Sequence, residues 1–170
     1  MKIMDIKHFL NNKSGFSLIE LLVVIFIIAL ISGSVAVSSW QGQNQSAAAG
    51  AAQKLAVDLR RAQIMALSGK LQGEVAPSGY GLYSAGANQY YIFYNINVND
   101  IDYQSSSAII ETINLDKASL SPVGSSIFFA PPDPKTYING ASSGSQTFTL
   151  LSGGSAKNVV IYATGIVDIN

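Results

Sequence analysis

The stretch that decides the fold is a short polar segment followed directly by an apolar run. From residue 13 to residue 31 the chain reads Lys13-Ser14-Gly15-Phe16-Ser17-Leu18-Ile19-Glu20-Leu21-Leu22-Val23-Val24-Ile25-Phe26-Ile27-Ile28-Ala29-Leu30-Ile31. Apolar character continues to Trp40, and a helix of about 20 apolar residues is long enough to cross the hydrocarbon core of a bilayer. The stretch therefore predicts one membrane-anchoring helix.

Charges around this run predict its orientation. Three lysines precede it, at Lys2, Lys7 and Lys13, and no comparable cluster follows it. The positive-inside bias therefore predicts residues 1–15 in the cytoplasm and the rest of the chain outside. Glu20 breaks the apolar pattern, and an ionised carboxylate in lipid costs on the order of a few kcal/mol or more. Such a carboxylate needs a partner.

The junction between the polar segment and the apolar run resembles the prepilin (class III) signal of type IV pilins and type II secretion pseudopilins. The residues that carry the resemblance are Lys13-Ser14-Gly15-Phe16-Ser17-Leu18-Ile19-Glu20-Leu21-Leu22. The resemblance implies that a membrane-embedded prepilin peptidase cuts after Gly15 and methylates the new amine of Phe16. It implies that Glu20, at the fifth mature position, serves assembly with other pilin or pseudopilin subunits through the N-terminal helix.

The same resemblance implies a location. The protein is expected to span the inner (cytoplasmic) membrane once, with an extracytoplasmic head, and to assemble into a pilus or pseudopilus. The amine of Phe16 lies four residues from Glu20, about 6 Å along a helix axis. A neighbouring subunit displaced by about one turn could thus pair its amine with Glu20.

Two other interpretations of the run stay open. An ordinary secretory signal is one, because Ala36-Val37-Ser38 is an acceptable small-x-small cleavage site. That interpretation places Glu20 inside the apolar region of a signal and leaves the junction of Gly15 and Phe16 unexplained. A plain single-pass anchor is the other, and it explains the hydrophobicity but not Glu20.

Composition argues against enzymatic function. The chain has 170 residues and equal numbers of basic and acidic residues, ten each, so its net charge indicates no polyanionic partner. It has no cysteine, and its one histidine, His8, lies in the segment to be removed, which excludes Ser-His and Cys-His catalysis in the mature chain. Gly140-Ala141-Ser142-Ser143-Gly144 matches the nucleophile-elbow pattern, but it lies in a Ser/Gly loop. We expect no enzymatic activity and no cofactor.

A second pattern follows the polar patch Gln41–Ser46. Apolar residues recur at spacings of four and three and predict an amphipathic helix over residues 47–68. They are Ala48, Ala52, Leu55, Leu59, Ala62 and Ala66. On the other side, Asp58 is spaced for ion pairs with Lys54 and Arg61. Three apolar residues lie off the stripe and imply further contacts: Val57, Ile64 and Met65.

The rest of the chain reads as sheet, with short β-like runs separated by Gly, Ser, Pro and Asn. We predict strands near Gly79–Ser84, Gln89–Asn95, Ala108–Leu115, Ser125–Ala130, Gln146–Leu151, Asn158–Ala163 and Gly165–Ile169. The predicted fold is α+β, a pilin fold in which one long N-terminal helix, half transmembrane and half amphipathic, packs on antiparallel β-sheets. The predicted segments are a leader peptide (1–15), a transmembrane helix (16–40), its amphipathic continuation (41–68) and a β-rich head (69–170).

The order of motifs in the head is similar to the GspH/FimT class of minor pseudopilins and minor pilins. It consists of Asp58-Leu59-Arg60-Arg61-Ala62, a Tyr/Phe hairpin, Phe128-Phe129-Ala130-Pro131-Pro132 and a closing Val160-Ile161-Tyr162-Ala163-Thr164-Gly165. The resemblance implies a structural minor subunit of a type II secretion pseudopilus or a type IV pilus. The alternative is a binding module displayed on a filament, for DNA uptake or for recognition of a secreted substrate. No basic residue follows Lys157, which argues against nucleic acid.

Three features of the head carry weaker hypotheses. One loop is rich in side-chain oxygens at the alternate spacing of a calcium site, but it lacks the glycine and the closing glutamate of such a site. Its oxygen-bearing residues are Asn95, Asn97, Asn99, Asp100 and Asp102. Its alternative is a solvated hairpin turn. The predicted strands carry a set of aromatic residues: Tyr80, Tyr83, Tyr90, Tyr91, Phe93 and Tyr94. About half of this aromatic set is expected in the core, because side chains alternate between the two faces along a strand. Pro131-Pro132-Asp133-Pro134 predicts a rigid turn, either a strand terminator or a docking surface.

N-terminal sequencing of the mature protein distinguishes the interpretations of the apolar run. We expect a mature chain that begins at Phe16 and carries a methylated amine. A mature chain that begins at Ser39 would instead establish an ordinary secretory signal and would exclude the prepilin interpretation.

Overall fold

The computed structural model describes residues 16–132 and 135–170, except for the side chains of residues 34–39. The predicted leader (1–15) and the end of the proline-rich turn (133–134) lie outside the described residues. The elements, in chain order, are α1 (Leu18–Leu67), β1 (Gly79–Gly86), β2 (Gln89–Asn95), β3 (Ala108–Asn114), β4 (Ser119–Ser121), β5 (Ser126–Ala130), β6 (Lys135–Ile138), β7 (Ser145–Ser152), β8 (Ser155–Tyr162) and β9 (Val167–Ile169). The chain divides into two compact units, Met1–Trp40 and Gln41–Asn170.

The second unit contains two antiparallel sheets. The first sheet has the strand order β3-β2-β1-β5-β6, and the second has the order β4-β7-β8-β9. Hairpins join most sequence neighbours; for example, Leu82 of β1 lies opposite Ile92 of β2, and Phe148 of β7 lies opposite Val159 of β8. The α+β fold with a helix packed on antiparallel sheets is therefore confirmed.

The predicted apolar stripe of α1 forms the centre of the core. Its members are at most 1% exposed: Ala48, Ala52, Leu55, Leu59, Ala62 and Ala66. From Ala52 onward these side chains belong to one hydrophobic cluster that includes side chains of both sheets. The first sheet contributes Tyr80, Leu82, Tyr90, Ile92, Ile127 and Phe129, and the second contributes Leu120, Phe148, Leu150, Val159 and Ile161. Burial of each large aliphatic side chain contributes about 1.5–3 kcal/mol, so this cluster is the main source of stability of the second unit.

Two strands were not predicted from the sequence. β4 has three residues and β6 has four, which is too short to show an alternating pattern. Both lie at sheet edges, where β4 pairs with β7 and β6 pairs with β5. The last predicted strand also begins two residues late, because Gly165 adopts a positive φ of 83° in the turn that joins β8 and β9. Only short edge elements therefore escaped the sequence pattern.

The outer face of the first sheet carries a second, aromatic cluster. Phe93 and Phe128 are at most 1% exposed, and their rings stack with centroids 6.0 Å apart. Tyr103, from the loop after β2, meets Phe93 edge-on at 5.2 Å. It also stacks on Tyr83 at 4.0 Å. Phe93 thus lies on the face opposite the main core, which alternation along β2 requires.

Two glycines of β1 make room for these rings. A Cβ at Gly79 would lie 2.4 Å from the Phe128 ring, and a Cβ at Gly81 would lie 2.5 Å from both the Phe93 ring and the carbonyl oxygen of Ile127. Backbone atoms cannot retreat from such a contact without disturbing the strand pairing. The rings therefore pack against bare backbone at the middle of the sheet.

We expect Gly81→Ala to destabilise the second unit by about 1–3 kcal/mol or more, the usual effect of overpacking. The matched control is Gly86→Ala at the end of β1, where the nearest atom to an added Cβ is 3.5 Å away, an ordinary contact. Urea unfolding of both variants measures the difference. Equal stability of the two variants would contradict the packing described for Gly81.

Candidate processing and assembly segment

The start of α1 lies directly after the predicted cleavage site. Ser17 precedes the helix, and its carbonyl oxygen accepts hydrogen bonds from the backbone N–H groups of Glu20 (3.0 Å) and Leu21 (3.2 Å). Ser17 and Glu20 have the Ser-x-x-Glu spacing of a capping box. A carboxylate in the first turn is also stabilised by the helix dipole by about 0.3–1 kcal/mol. Glu20 therefore favours helix initiation directly after Phe16, a signal in the sequence that the motif reading did not use.

The apolar run presents its side chains outward. Every large apolar side chain between Phe16 and Ile31 is exposed, from 45% at Val24 to 81% at Leu18. A continuous exposed apolar surface marks contact with another protein or with a membrane. Among the residues that the structure describes, no helix combines the length and apolar content required to span a membrane.

Of the predicted site residues, the structure describes Phe16 and Glu20, whereas Gly15 lies outside the described residues. Phe16 is 79% exposed and precedes α1. Glu20 is exposed in the first turn, four residues later. Both are accessible to other molecules. Their roles in cleavage, methylation and assembly stay predictions.

Asp58 has a different role from the predicted one. It is 8% exposed, and its Oδ2 accepts a hydrogen bond of 2.7 Å from the hydroxyl of Tyr90 on β2. The expected pairs with Lys54 and Arg61 were wrong, because Asp58 lies on the buried side of the helix. Arg61 instead forms an ion pair with Glu111 on β3, with Nη1 and Oε2 2.7 Å apart. The buried Asp58 hydrogen bond fixes the rotation of α1 against the first sheet.

Burial raises the pKa of Tyr90 well above its ordinary value of 10.0, and the hydrogen bond to Asp58 adds to the effect. Both causes favour the neutral hydroxyl in the folded state, which keeps Tyr90 a donor over the whole physiological range. The folded pKa exceeds the unfolded pKa, so the stabilisation is complete below pH 10.0 and is lost as the pH rises above it.

The loop that suggested calcium is organised by its own hydrogen bonds. Asn95 is 3% exposed, and its amide nitrogen donates to the carbonyl oxygens of Asp100 (2.7 Å) and Asp102 (2.9 Å). Its side-chain oxygen accepts a bond of 2.6 Å from Ser107 Oγ. Asn97 Oδ1 accepts from the N–H of Asn99. Within the described residues no group of three or more His, Cys, Asp or Glu side chains could hold a metal ion. The calcium hypothesis stays a prediction that a thermal midpoint measured with calcium would test.

The remaining motifs lie in turns and strands. Ser142 of the nucleophile-elbow pattern is exposed in a bend between β6 and β7, and the chain continues as a strand where the motif requires a helix. Pro131 and Pro132 follow β5 in a turn. Half of the aromatic set lies on the core side, as predicted: Tyr80 and Tyr90 belong to the main core and Tyr94 packs against it, whereas Phe93 is buried on the opposite face.

Replacing Tyr90 with Phe should lower the free energy of unfolding by about 1–3 kcal/mol near neutral pH, because Asp58 loses its donor while buried. The difference in free energy of unfolding between the variant and the wild type should become smaller above pH 10.0. There the unfolded wild type loses the Tyr90 proton while the folded wild type keeps it, which lowers the stability of the wild type, and the variant has no such proton. Denaturant titrations across this pH range measure the effect. The control is Tyr162→Phe, at a side chain that is 42% exposed. A loss of stability in Tyr90→Phe that does not change with pH would contradict the raised pKa of the Tyr90 hydroxyl.

Comparison with known proteins gives one match. Residues 10–36 match the family model described as the prokaryotic N-terminal methylation motif. No curated protein and no solved structure matches the chain. The matched residues include Gly15, Phe16 and Glu20, and the motif implies processing by prepilin peptidase and assembly with other pilins. Together with the α+β fold, the match supports a type IV prepilin-like protein with a structural rather than an enzymatic role.

Proposed function

We propose that this chain is a minor pilin or pseudopilin subunit of the GspH/FimT class. It is cut between Gly15 and Phe16, methylated at the Phe16 amine, and assembled into a type II secretion pseudopilus or a type IV pilus. The observation that carries the proposal is the methylation motif over residues 10–36, combined with the exposed first-turn position of Glu20. The minor-subunit assignment is supported by the order of sequence motifs in the head.

Residues 16–40 form the proposed single-pass anchor in the inner membrane, with the head on the extracytoplasmic side. Two observations support it. The large apolar side chains from Phe16 to Ile31 are exposed, and burying them in lipid removes that surface from water. The three lysines of the leader precede this run, which favours a cytoplasmic N-terminus.

Glu20 is the proposed assembly residue, because its ionised carboxylate is unfavourable in the membrane only while the subunit has no neighbour to pair with it. An ionised carboxylate in lipid lacks the hydration it has in water, and an opposite charge nearby compensates for that loss. Cleavage after Gly15 creates such a charge at the Phe16 amine. The attraction between unit charges is much stronger at low dielectric than in water. A subunit that docks with its Phe16 amine beside a neighbour's Glu20 therefore gains most within the membrane.

Changing Glu20 to Ala or to Gln should leave membrane insertion and leader cleavage intact and should strongly reduce incorporation into filaments. Membrane fractionation, the mass of the processed chain and the amount of subunit in sheared filaments measure the three steps separately. The control is Leu21→Ala, which removes apolar surface from the same turn without changing charge.

Normal incorporation of Glu20→Gln would contradict the charge pairing, since this variant keeps the size and hydrogen-bonding capacity of the side chain. Failure of leader cleavage in the wild-type chain, when it is expressed together with a prepilin peptidase, would contradict the proposed function as a whole.

A further inference from the structure

We propose that a polar cavity at the start of the second unit binds the headgroup of an anionic phospholipid that carries hydroxyl groups, such as phosphatidylglycerol. The cavity has a volume of about 580 Å³, within the roughly 300–1,000 Å³ range of ligand sites in proteins. We call it the lysine cavity. Its walls come from α1 (Gln43, Asn44 and Ser46), from the loop between β3 and β4 (Lys117) and from the end of β7 with the turn that follows it (Ser152 and Gly153).

The turn between β7 and β8 gives the cavity a defined shape. Gly153 and Gly154 have positive φ values of 51° and 90°, as a two-residue hairpin turn requires. Asn44 Nδ2 donates a hydrogen bond of 3.4 Å to the carbonyl oxygen of Gly153. A Cβ at Gly153 would overlap the side-chain amide of Asn44. The turn therefore lies directly against α1, which fixes two walls of the cavity relative to each other.

The charge of the cavity favours an anion. Of the described residues that line it, only Lys117 is charged. Lys117 is exposed and forms no ion pair with any residue that the structure describes. The aspartate beside it in the sequence, Asp116, lines a neighbouring cavity of about 310 Å³, together with Lys54 and again Lys117. The two cavities thus carry two lysines against one aspartate. An unpaired ammonium group among neutral donors suits a phosphate group, which lysine binds as a point charge.

The neutral walls indicate what the phosphate should carry. Gln43 and Asn44 have amide side chains, and Ser46 and Ser152 have hydroxyl side chains. Amides and hydroxyls both donate and accept hydrogen bonds. The hydroxyl groups of a glycerol headgroup have the same double capacity and can therefore pair with either kind of wall. The trimethylammonium group of a choline headgroup has no such donor, and it would bring a second positive charge close to Lys117.

The position of the cavity in the sequence favours a lipid over a soluble phosphate ester. This step rests on the proposed function, in which residues 16–40 anchor the chain in the membrane. Gln43 follows Trp40 by three residues, and three residues span at most about 11 Å in any conformation. The headgroup layer on each side of a bilayer is itself about 5–8 Å thick. The cavity therefore begins close to lipid headgroups, and confinement beside them raises their effective concentration.

Titration of the full chain in micelles of an uncharged detergent tests the proposal. The probes are short-chain phosphatidylglycerol, short-chain phosphatidylcholine with the same acyl chains, and water-soluble glycerol phosphate. The backbone amide chemical shifts of Ser46 and Gly154 report occupancy of the cavity. We expect phosphatidylglycerol to bind at least about tenfold more tightly than either other probe and to bind more weakly as salt is added.

Two variants locate the binding. Lys117→Gln should weaken phosphatidylglycerol binding roughly tenfold or more and remove its salt dependence, because the cavity loses its charge. Gly153→Asn should weaken binding without changing charge, because asparagine tolerates a positive φ and its side chain would displace the Asn44 amide. The control is Lys135→Gln, which removes the same charge from an exposed lysine on β6 outside the cavity and should bind like the wild type. Thermal unfolding verifies that each variant is folded.

Four results would overturn the proposal. They are equal binding of the two lipids, absence of binding by either lipid, equal loss of binding in Lys117→Gln and Lys135→Gln, and binding of glycerol phosphate as tight as that of phosphatidylglycerol. The last result would assign the cavity to a soluble phosphate ester. Failure of the proposed function has a different signature, since the wild-type chain would then not be cleaved after Gly15 by prepilin peptidase. Loss of the lipid preference alone leaves that cleavage unchanged, so the two failures are distinguishable.

Discussion

The complete burial of one side of α1 between two sheets is the contact on which the rest of the second unit depends. Leu55 and Leu59 have no exposed surface, and the side chains around them come from strands far apart in the sequence. Neither sheet can bury its own inner face alone, because an apolar sheet face is removed from water only by a second layer packed against it. The helix supplies the apolar surface that both sheets need, and the alanines of its stripe allow close approach at several levels. The sheets are thereby joined into one core rather than two.

Asp58 fixes the rotation of α1 about its own axis, in addition to the burial of its apolar stripe. An apolar stripe alone tolerates small rotations of a helix, since dispersion contacts have little directional preference. The hydrogen bond from Tyr90 to Asp58 does not tolerate such rotations, because its buried donor and acceptor must stay 2.7 Å apart. With that rotation fixed, Arg60 and Arg61 reach opposite sheets and Val57 faces outward. The inner contact therefore determines what the outer surface of the helix presents.

Much of the fold follows from periodicity that is visible in the sequence. The stripe at intervals of three and four predicted which side of α1 is buried, and alternation predicted the strands that form both sheet centres. The errors have physical causes. The ion-pair rule for helices assumes that charged residues face water, and Asp58 does not. The strands β4 and β6 are too short to show a period. The contact of Tyr103 with Phe93 depends on how a loop folds back, which local patterns do not encode. The motif at the N-terminus was recognisable in the sequence and matches a family model over residues 10–36, because its residues are adjacent in the chain.

The loop between β2 and β3 is fixed at both ends and open in the middle. Asn95 ties its start to Asp100 and Asp102, and Tyr103 anchors its end against the sheet. Val98, between these anchors, is 77% exposed. The tip is therefore suited to carry foreign sequence, since an inserted epitope would extend into solvent without reaching either anchor. A tag placed there would label the protein while leaving the helix, both sheets and the chain terminus as they are.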